Sequence, residues 1–295
     1  MKNNAIKKSI ALIITAVSLF AFTACQGKTA PTTPASTPTE VETPVAVETP
    51  ATEEMSDSMK KIKERGVLVL GTSAGFPPYE FHKSINGKDE IVGFDIEIAK
   101  EIAKDLGVTL EIKDMDFKGL LAALDQGVID IIVAGMSPTE ERAKSVDFSK
   151  IYYQSEQSLV IRAKDKDLYK TNADLTGKNI GVQMASIQES IAATQFSNAT
   201  PVALAKIQDL FLSLKSSRVD AIIIENTVAV SNVNANPDLF VTDIEIPVET
   251  KGAAAAMKKN SPDLVKAVND TFDRLIAAGQ IDKFVADATA LLEAE

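Results

Sequence analysis

Asp130-Ile-Ile-Val-Ala-Gly-Met-Ser-Pro-Thr-Glu-Glu-Arg142 carries a buried strand, a sharp turn and a helix start in one short stretch. Ile131 to Val133 is a β-branched apolar run, the composition of a strand covered on both faces. Ala134 and Gly135 remove side-chain bulk at the strand end, so a ligand or another backbone can approach the main chain there. Ser137-Pro138-Thr139-Glu140 predicts a helix start, with Ser137 as N-cap, Pro138 in the first helical position and Glu140 closing a capping box. A strand that delivers the chain to a helix N-terminus presents free N–H groups to an anion. Arg142, in the first turns of that helix, adds a planar fork suited to a carboxylate or phosphate.

The same pattern recurs 90 residues later. Leu124-Asp-Gln-Gly-Val-Ile-Asp130-Ile-Ile-Val-Ala-Gly135 and Leu214-Lys-Ser-Ser-Arg-Val-Asp220-Ala-Ile-Ile-Ile-Glu225 both read as helix end, turn and buried strand in one frame. If the unit is repeated, Gly135 and Glu225 occupy equivalent strand ends of two lobes. Ligands of open α/β sheets bind at such carboxyl ends.

The surroundings fit an α/β chain. Val67 to Leu70 reads as a first strand, and Gly71 to Tyr79 as a loop in which Ser73, Phe76 and Tyr79 flank Pro77-Pro78. Phe94, Ile98, Ile102 and Leu106 share one face of a helix that Asp95 is expected to cap. Val108 to Ile112 is the next strand, and Phe117 to Leu124 the helix that returns to the opening stretch. Strand and helix in alternation predict a largely parallel sheet. A second alternation begins at Ile180-Gly-Val-Gln183, whose turn places Ala185 and Ser186 before another helix start.

Composition narrows the function. The chain has 295 residues, 45% of them hydrophobic, which is enough for two ordinary domains. Its formal charge is -10, against nucleic acid as the main partner. One Cys and one His exclude a disulfide framework and a Cys/His metal centre, so no metal or cofactor is expected. At the N-terminus, Lys2, Lys7 and Lys8 precede an apolar run from Ile10 to Phe22, too short and too one-sidedly flanked for a membrane span, which reads as a secretory signal. Residues 26–56 are almost entirely Thr, Pro, Ala, Ser, Val and Glu, the composition of an extended soluble tether.

Five segments in order, GTSAGFPPYEF from Gly71, GFDIEIAKEIAKDLG from Gly93, IIVAGMSPTEERAKSVDFS from Ile131, GKNIGVQMAS from Gly177 and RVDAIIIEN from Arg218, resemble solute-binding protein family 3, the extracellular amino-acid-binding lipoproteins of ABC importers. The resemblance covers roughly residues 60 to 285. It implies a type II periplasmic-binding-protein fold, α/β and two-lobed, with a ligand cleft between lobes joined by two hinge strands, Leu159 to Arg162 being the first crossing. The expected division is a lipoprotein signal peptide over 1–24, lipidated Cys25 and a tether over 25–57, a first lobe from 58–161 plus 248–295, and a second from 162–247. Phe22-Thr23-Ala24-Cys25 resembles the signal-peptidase site, so Cys25 would hold the chain on the outer face of the cell membrane, or on the periplasmic side in a cell with two membranes.

The resemblance also implies a site. Arg142 and the helix starts after Ser137 and Ser186 would take a ligand carboxylate, with Ile187 standing where the family has a second hydroxyl. Glu225 and the Gly135 carbonyl would take the ammonium. Phe76 and Phe117 would sandwich the side chain. Ser73 stands where binders of cationic side chains often carry Asp, so with Gln183 and Gln188 it favours a polar or uncharged ligand side chain. The expected partners are a free amino acid, the permease and ATPase subunits of an importer, and the bilayer through Cys25, with the protein a monomer and not an enzyme. The alternative is a cyclohexadienyl-dehydratase-like enzyme on the same fold, with Glu225 or Glu80 as its acid.

Overall fold

The computed structural model describes residues 55–249 and 251–293. Cys25, the signal sequence and nearly all of the tether lie outside the described residues. The described fold begins at Ser56, slightly before the expected boundary. Its hydroxyl accepts from the Met59 N–H to cap the first helix, and its own N–H donates to Asp263 at 2.9 Å.

The elements run α1 (Asp57–Arg65), β1 (Val67–Thr72), β2 (Phe81–Ile85), β3 (Lys88–Val92), α2 (Phe94–Asp105), β4 (Thr109–Asp114), α3 (Leu120–Asp125), β5 (Ile131–Ile132), α4 (Glu140–Ala143), β6 (Val146–Tyr153) and β7 (Gln157–Arg162). There follow β8 (Asn179–Gln183), α5 (Ile187–Gln195), β9 (Thr200–Leu204), α6 (Ile207–Lys215), β10 (Ala221–Glu225), α7 (Asn226–Ala235), β11 (Leu239–Val241), β12 (Ala253–Lys258), α8 (Pro262–Ala277) and α9 (Gln280–Glu293). They build two five-stranded sheets, in the orders β4-β1-β5-β12-β6 and β11-β7-β10-β8-β9. In the first, β1 is parallel to β4 and β5 while β12 runs antiparallel. In the second, β8 is parallel to β9 and β10 while β7 runs antiparallel.

Inner strands of both sheets such as β5 and β10 are covered on both faces, which is why they are apolar without alternation. Leu68, Leu70 and Ile131 pack with α2 and α8 residues such as Ile98 and Phe272, whereas Val69 and Ile132 turn to the other face, against Leu120 and Leu124 of α3. In the second sheet Ile222 and Ile224 pack with Leu210 and Leu214 of α6, and Ile223 packs with Ile191 of α5.

Two strand assignments differ from the sequence reading. Leu159 to Arg162 is no crossing, since β7 lies within the second sheet from Gln157 onward and pairs with β10 and β11. The chain leaves the first sheet after Tyr153, enters the second at Gln157 and is back in the first at Ala253, so the boundary at 161/162 falls inside a strand. The hairpin β2/β3 is additional. Its turn residues Asn86 and Gly87 both adopt positive φ, the signature of a tight two-residue turn.

The 90-residue repeat is present in three dimensions. Gly127 and Ser217, at equivalent positions, adopt φ of 70° and 61° at the ends of α3 and α6. Asp130 then accepts from the Val69 N–H at 2.8 Å and returns its own N–H to the Val69 carbonyl. Asp220 repeats both bonds with Asn179, the side-chain one at 3.0 Å. Each aspartate also meets an arginine, Arg65 in the first lobe and Arg162 in the second. Because a left-handed conformation is costly for a side chain with a Cβ, Ser217→Gly should stabilise the protein by about 0.5–1 kcal/mol. Urea unfolding of the variant measures it, and an unchanged midpoint would show that the serine is unstrained.

Candidate functional site

At the carboxyl ends of β1, β5 and β8 the two lobes line a cavity of ≈ 350 Å³ of atom-free space, part of it open to solvent. The first lobe contributes Ser73, Phe76, Glu80, Phe117, Ala134, Gly135, Ser137 and Arg142, and the second Gln183, Ser186, Ile187 and Gln188. Eight of the nine ligand-contacting positions read from the sequence thus come together; Glu225 is not among the lining residues.

Arg142 is the cation of this lining. Its Nη1 donates to the Ser137 carbonyl at 2.8 Å and its Nη2 crosses to the Ala185 carbonyl of the second lobe at 3.0 Å. The guanidinium carbon lies 5.5 Å from the centre of the Phe117 ring. Among the described residues no carboxylate pairs with it. Burial pushes its pKa down to about 10, opposed by Glu141. A half-desolvated guanidinium held only by neutral carbonyls keeps most of its charge for an anion that enters the cavity.

The turn that positions it differs from the expected one. Ser137 does not cap α4 and Glu140 closes no capping box; Thr139 is the cap, accepting from the Arg142 N–H at 3.3 Å. The reason is geometric, since the Ser137 carbonyl is turned to the guanidinium and the helix starts two residues later. With only four residues α4 contributes little dipole, so the anion-binding power of this turn resides in Arg142. On the second lobe, Ser186 does cap α5, accepting from the Glu189 N–H, while its hydroxyl donates to the Gln183 carbonyl at 2.7 Å. Ala185 before it adopts φ 62°.

Gly135, just beyond β5, adopts φ 57°, and a Cβ there would stand 2.8 Å from Cε1 of Phe76. The missing side chain therefore admits the Phe76 ring, which leans on Tyr79 at a centroid distance of 5.1 Å. The Gly135 N–H donates to Asp95 Oδ2 at 2.8 Å, and the Tyr152 hydroxyl donates to the same oxygen at 2.8 Å. Asp95 is thus no helix cap: Gly93 occupies that position, and the Asp95 carboxyl ties α2 to the strand ends of the first sheet.

Glu80 lines the cavity at 1% exposure, within hydrogen-bonding reach of Asp95, which is 0% exposed. Burial, and then the Asp95 charge, raise the Glu80 pKa well above the carboxylate range, and burial likewise raises Asp95. Glu80 Oε2 and Asp95 Oδ1 have no hydrogen-bond donor among the described residues. The sequence reading gave Glu80 a role only in the enzymatic alternative. Its proximity to Asp95 carries no local signal, because the two meet through the docking of the β1–β2 loop on α2.

Glu225 caps α7, its Oε2 accepting from the Val228 N–H at 3.0 Å. Its Oε1 is buried without a donor, and burial raises its pKa. Gln188 donates its amide to the Gln157 side chain at 2.7 Å. Among the described residues no His, Cys, Asp and Glu cluster could hold a metal ion.

Residues 68–287 match the profile of the bacterial extracellular solute-binding proteins, family 3. The chain belongs to that family. Among its relatives, the arginine-binding extracellular protein ArtP of Bacillus subtilis is 38% identical over 221 residues, 73% of this chain and 83% of ArtP. The structure of the amino acid ABC transporter substrate-binding protein AbpA from Streptococcus pneumoniae, bound to L-arginine, superposes with a TM-score of 0.78 at 39% identity, covering 80% of this chain and 100% of that one. The ancestral amino acid-binding protein AncCDT-1, a precursor of cyclohexadienyl dehydratase, gives a TM-score of 0.72 at 29% identity, covering 79% and 99%. The two sheets and the cavity between them are the two-lobed architecture of these family members, and among the described residues no helix is long and apolar enough to cross a membrane.

Proposed function

We propose that this protein is the extracellular receptor of an ABC-type importer for a cationic α-amino acid, arginine foremost. The observation that carries the reading is the pairing, on one cavity, of an arginine with no carboxylate partner among the described residues and a buried acid, Glu80, whose Oε2 has no donor there. Arg142 takes the ligand carboxylate. Glu80 takes the side-chain cation, whose stem and planar face lie between Phe76 and Phe117. The α-ammonium falls to the Gly135 carbonyl and to Glu225.

This departs from the uncharged side chain to which Ser73 pointed. A neutral side chain would leave the net negative charge of the buried Glu80 and Asp95 carboxyls without a cation opposite it, a cost that a guanidinium removes. The arginine-binding relatives support the same choice. The enzymatic alternative draws on the likeness to AncCDT-1, itself described as amino acid-binding. Anchoring through Cys25, delivery to permease and ATPase subunits, and a monomeric state complete the proposal, resting on the N-terminal sequence and on the family's ABC-transporter relatives.

Calorimetric titration with arginine, lysine, citrulline, glutamine, histidine and cystine tests it. Arginine should bind most tightly, and Glu80→Gln should weaken arginine by about 1.5–3 kcal/mol while sparing citrulline, its neutral isostere. Tighter binding of citrulline or glutamine than of arginine would overturn the proposal.

A further inference from the structure

Two carboxylates cannot hydrogen-bond each other unless one of them is protonated, because an ionised carboxylate only accepts. Glu80 and Asp95 lie within hydrogen-bonding reach, both are buried, and each keeps an oxygen without a donor among the described residues. Asp95 is already held by the Gly135 N–H and the Tyr152 hydroxyl through Oδ2, which stabilise its charge and leave Glu80 facing an anion. Glu80 lines the ligand cavity.

Resting on the arginine reading above, we infer that in the ligand-free protein the Glu80 and Asp95 carboxyls share one proton, and that an entering guanidinium displaces it to solvent. Arginine binding is then proton release. The cation replaces the proton as the positive charge between the two acids, and no covalent bond changes.

The other groups facing the pair do not supply that charge. Tyr79 and Tyr152 are neutral phenols whose ionisation burial suppresses, and Glu225, at the start of α7, adds negative potential from the second lobe. Arg142, on the same cavity, is engaged by the carbonyls of Ser137 and Ala185. The elevated carboxyl pKa values are consistent with the shared proton, their first cause being burial.

The sign follows from linkage. A carboxyl pair whose pKa is raised in the free protein and lowered by a bound cation loses its proton on binding, so affinity rises with pH. The rise spans the window from the ordinary carboxyl range up to the raised value in the free protein, and approaches about tenfold per pH unit for one proton. It vanishes outside that window.

The test is titration of the full-length protein with arginine at one neutral pH in buffers of widely different ionisation enthalpy. It is repeated from about pH 5.5 to about pH 7.5 and paralleled with citrulline. Arginine should show a buffer-dependent heat corresponding to net proton release and an affinity that climbs with pH; citrulline, with the same ammonium and carboxylate, should show neither. Release seen equally with both ligands would place the proton on Glu225 and overturn the inference. So would buffer-independent heat with pH-independent affinity for arginine, an outcome that leaves the arginine reading standing. Failure of arginine to bind at all would remove both. In Glu80→Gln, residual arginine binding should lose its proton release, and persistence of the release would exclude the pair as its source.

Discussion

Replacing Arg142 by alanine is expected to weaken amino-acid binding by roughly 3–5 kcal/mol, because a ligand carboxylate would then be desolvated in the cavity with no counter-charge. The loss has two parts. One is the anion's partner, held with both faces of its fork already oriented by the carbonyls of Ser137 and Ala185. The other is the bond to Ala185 itself, which joins the lobes and favours the closed arrangement. Arg142→Lys keeps the charge but not the fork, and should lose about 1–3 kcal/mol. Calorimetry on both variants resolves the two parts. A change of less than about tenfold, or 1.4 kcal/mol, for alanine would mean that Arg142 does not contact the ligand.

Gly93→Ala is expected to cost roughly 3–5 kcal/mol of folding stability, without touching any residue on the cavity. Gly93 adopts φ 131°, and a Cβ there would stand 2.1 Å from the Tyr79 carbonyl oxygen and 2.9 Å from that of Pro78. Both carbonyls are in use: Pro78 accepts from the Phe94 N–H at 3.1 Å and Tyr79 from the Asp95 N–H at 3.0 Å. These bonds fasten the loop bearing Phe76 and Glu80 onto α2, where the Tyr79 ring packs tilted against Phe94 at a centroid distance of 4.3 Å. The alanine must therefore strain the backbone or break both bonds and loosen the cavity wall. Urea unfolding gives the stability, and arginine affinity should fall with it. A stability loss under about 1 kcal/mol would show that the loop can shift away from α2 without penalty.

Much of the architecture is legible along the chain because it depends on neighbours in sequence. The apolar runs at Val67 to Leu70, Ile131 to Val133 and Ala221 to Ile224 become strands buried on both faces. The 90-residue repeat survives into matched turns at Gly127 and Ser217 and matched aspartates at Asp130 and Asp220. Arg142 announces itself by its distance from a strand end, which the backbone converts directly into a position on the cavity.

Other features depend on which surfaces meet, and only the tertiary structure decided them. Ser137 reads by sequence as the cap of α4, yet Thr139 is the cap and the Ser137 carbonyl goes to Arg142. Asp95 reads locally as a helix cap, yet the packing of α2 under the first sheet gives its carboxyl to Gly135, Tyr152 and Glu80. Gly135 looked like room for a ligand, and the fold fills that room with Phe76. Glu225 stands at the strand end that the repeat assigns to it, but its rotamer turns Oε2 back to cap α7. A carboxyl's partner, and hence its charge, is set by burial and by whatever element is packed against it, quantities that no window of contiguous residues contains. That is why the residues of the cleft could be named from the sequence, while the pairing of Glu80 with Asp95, on which the proposed preference for a cation rests, had to await the fold.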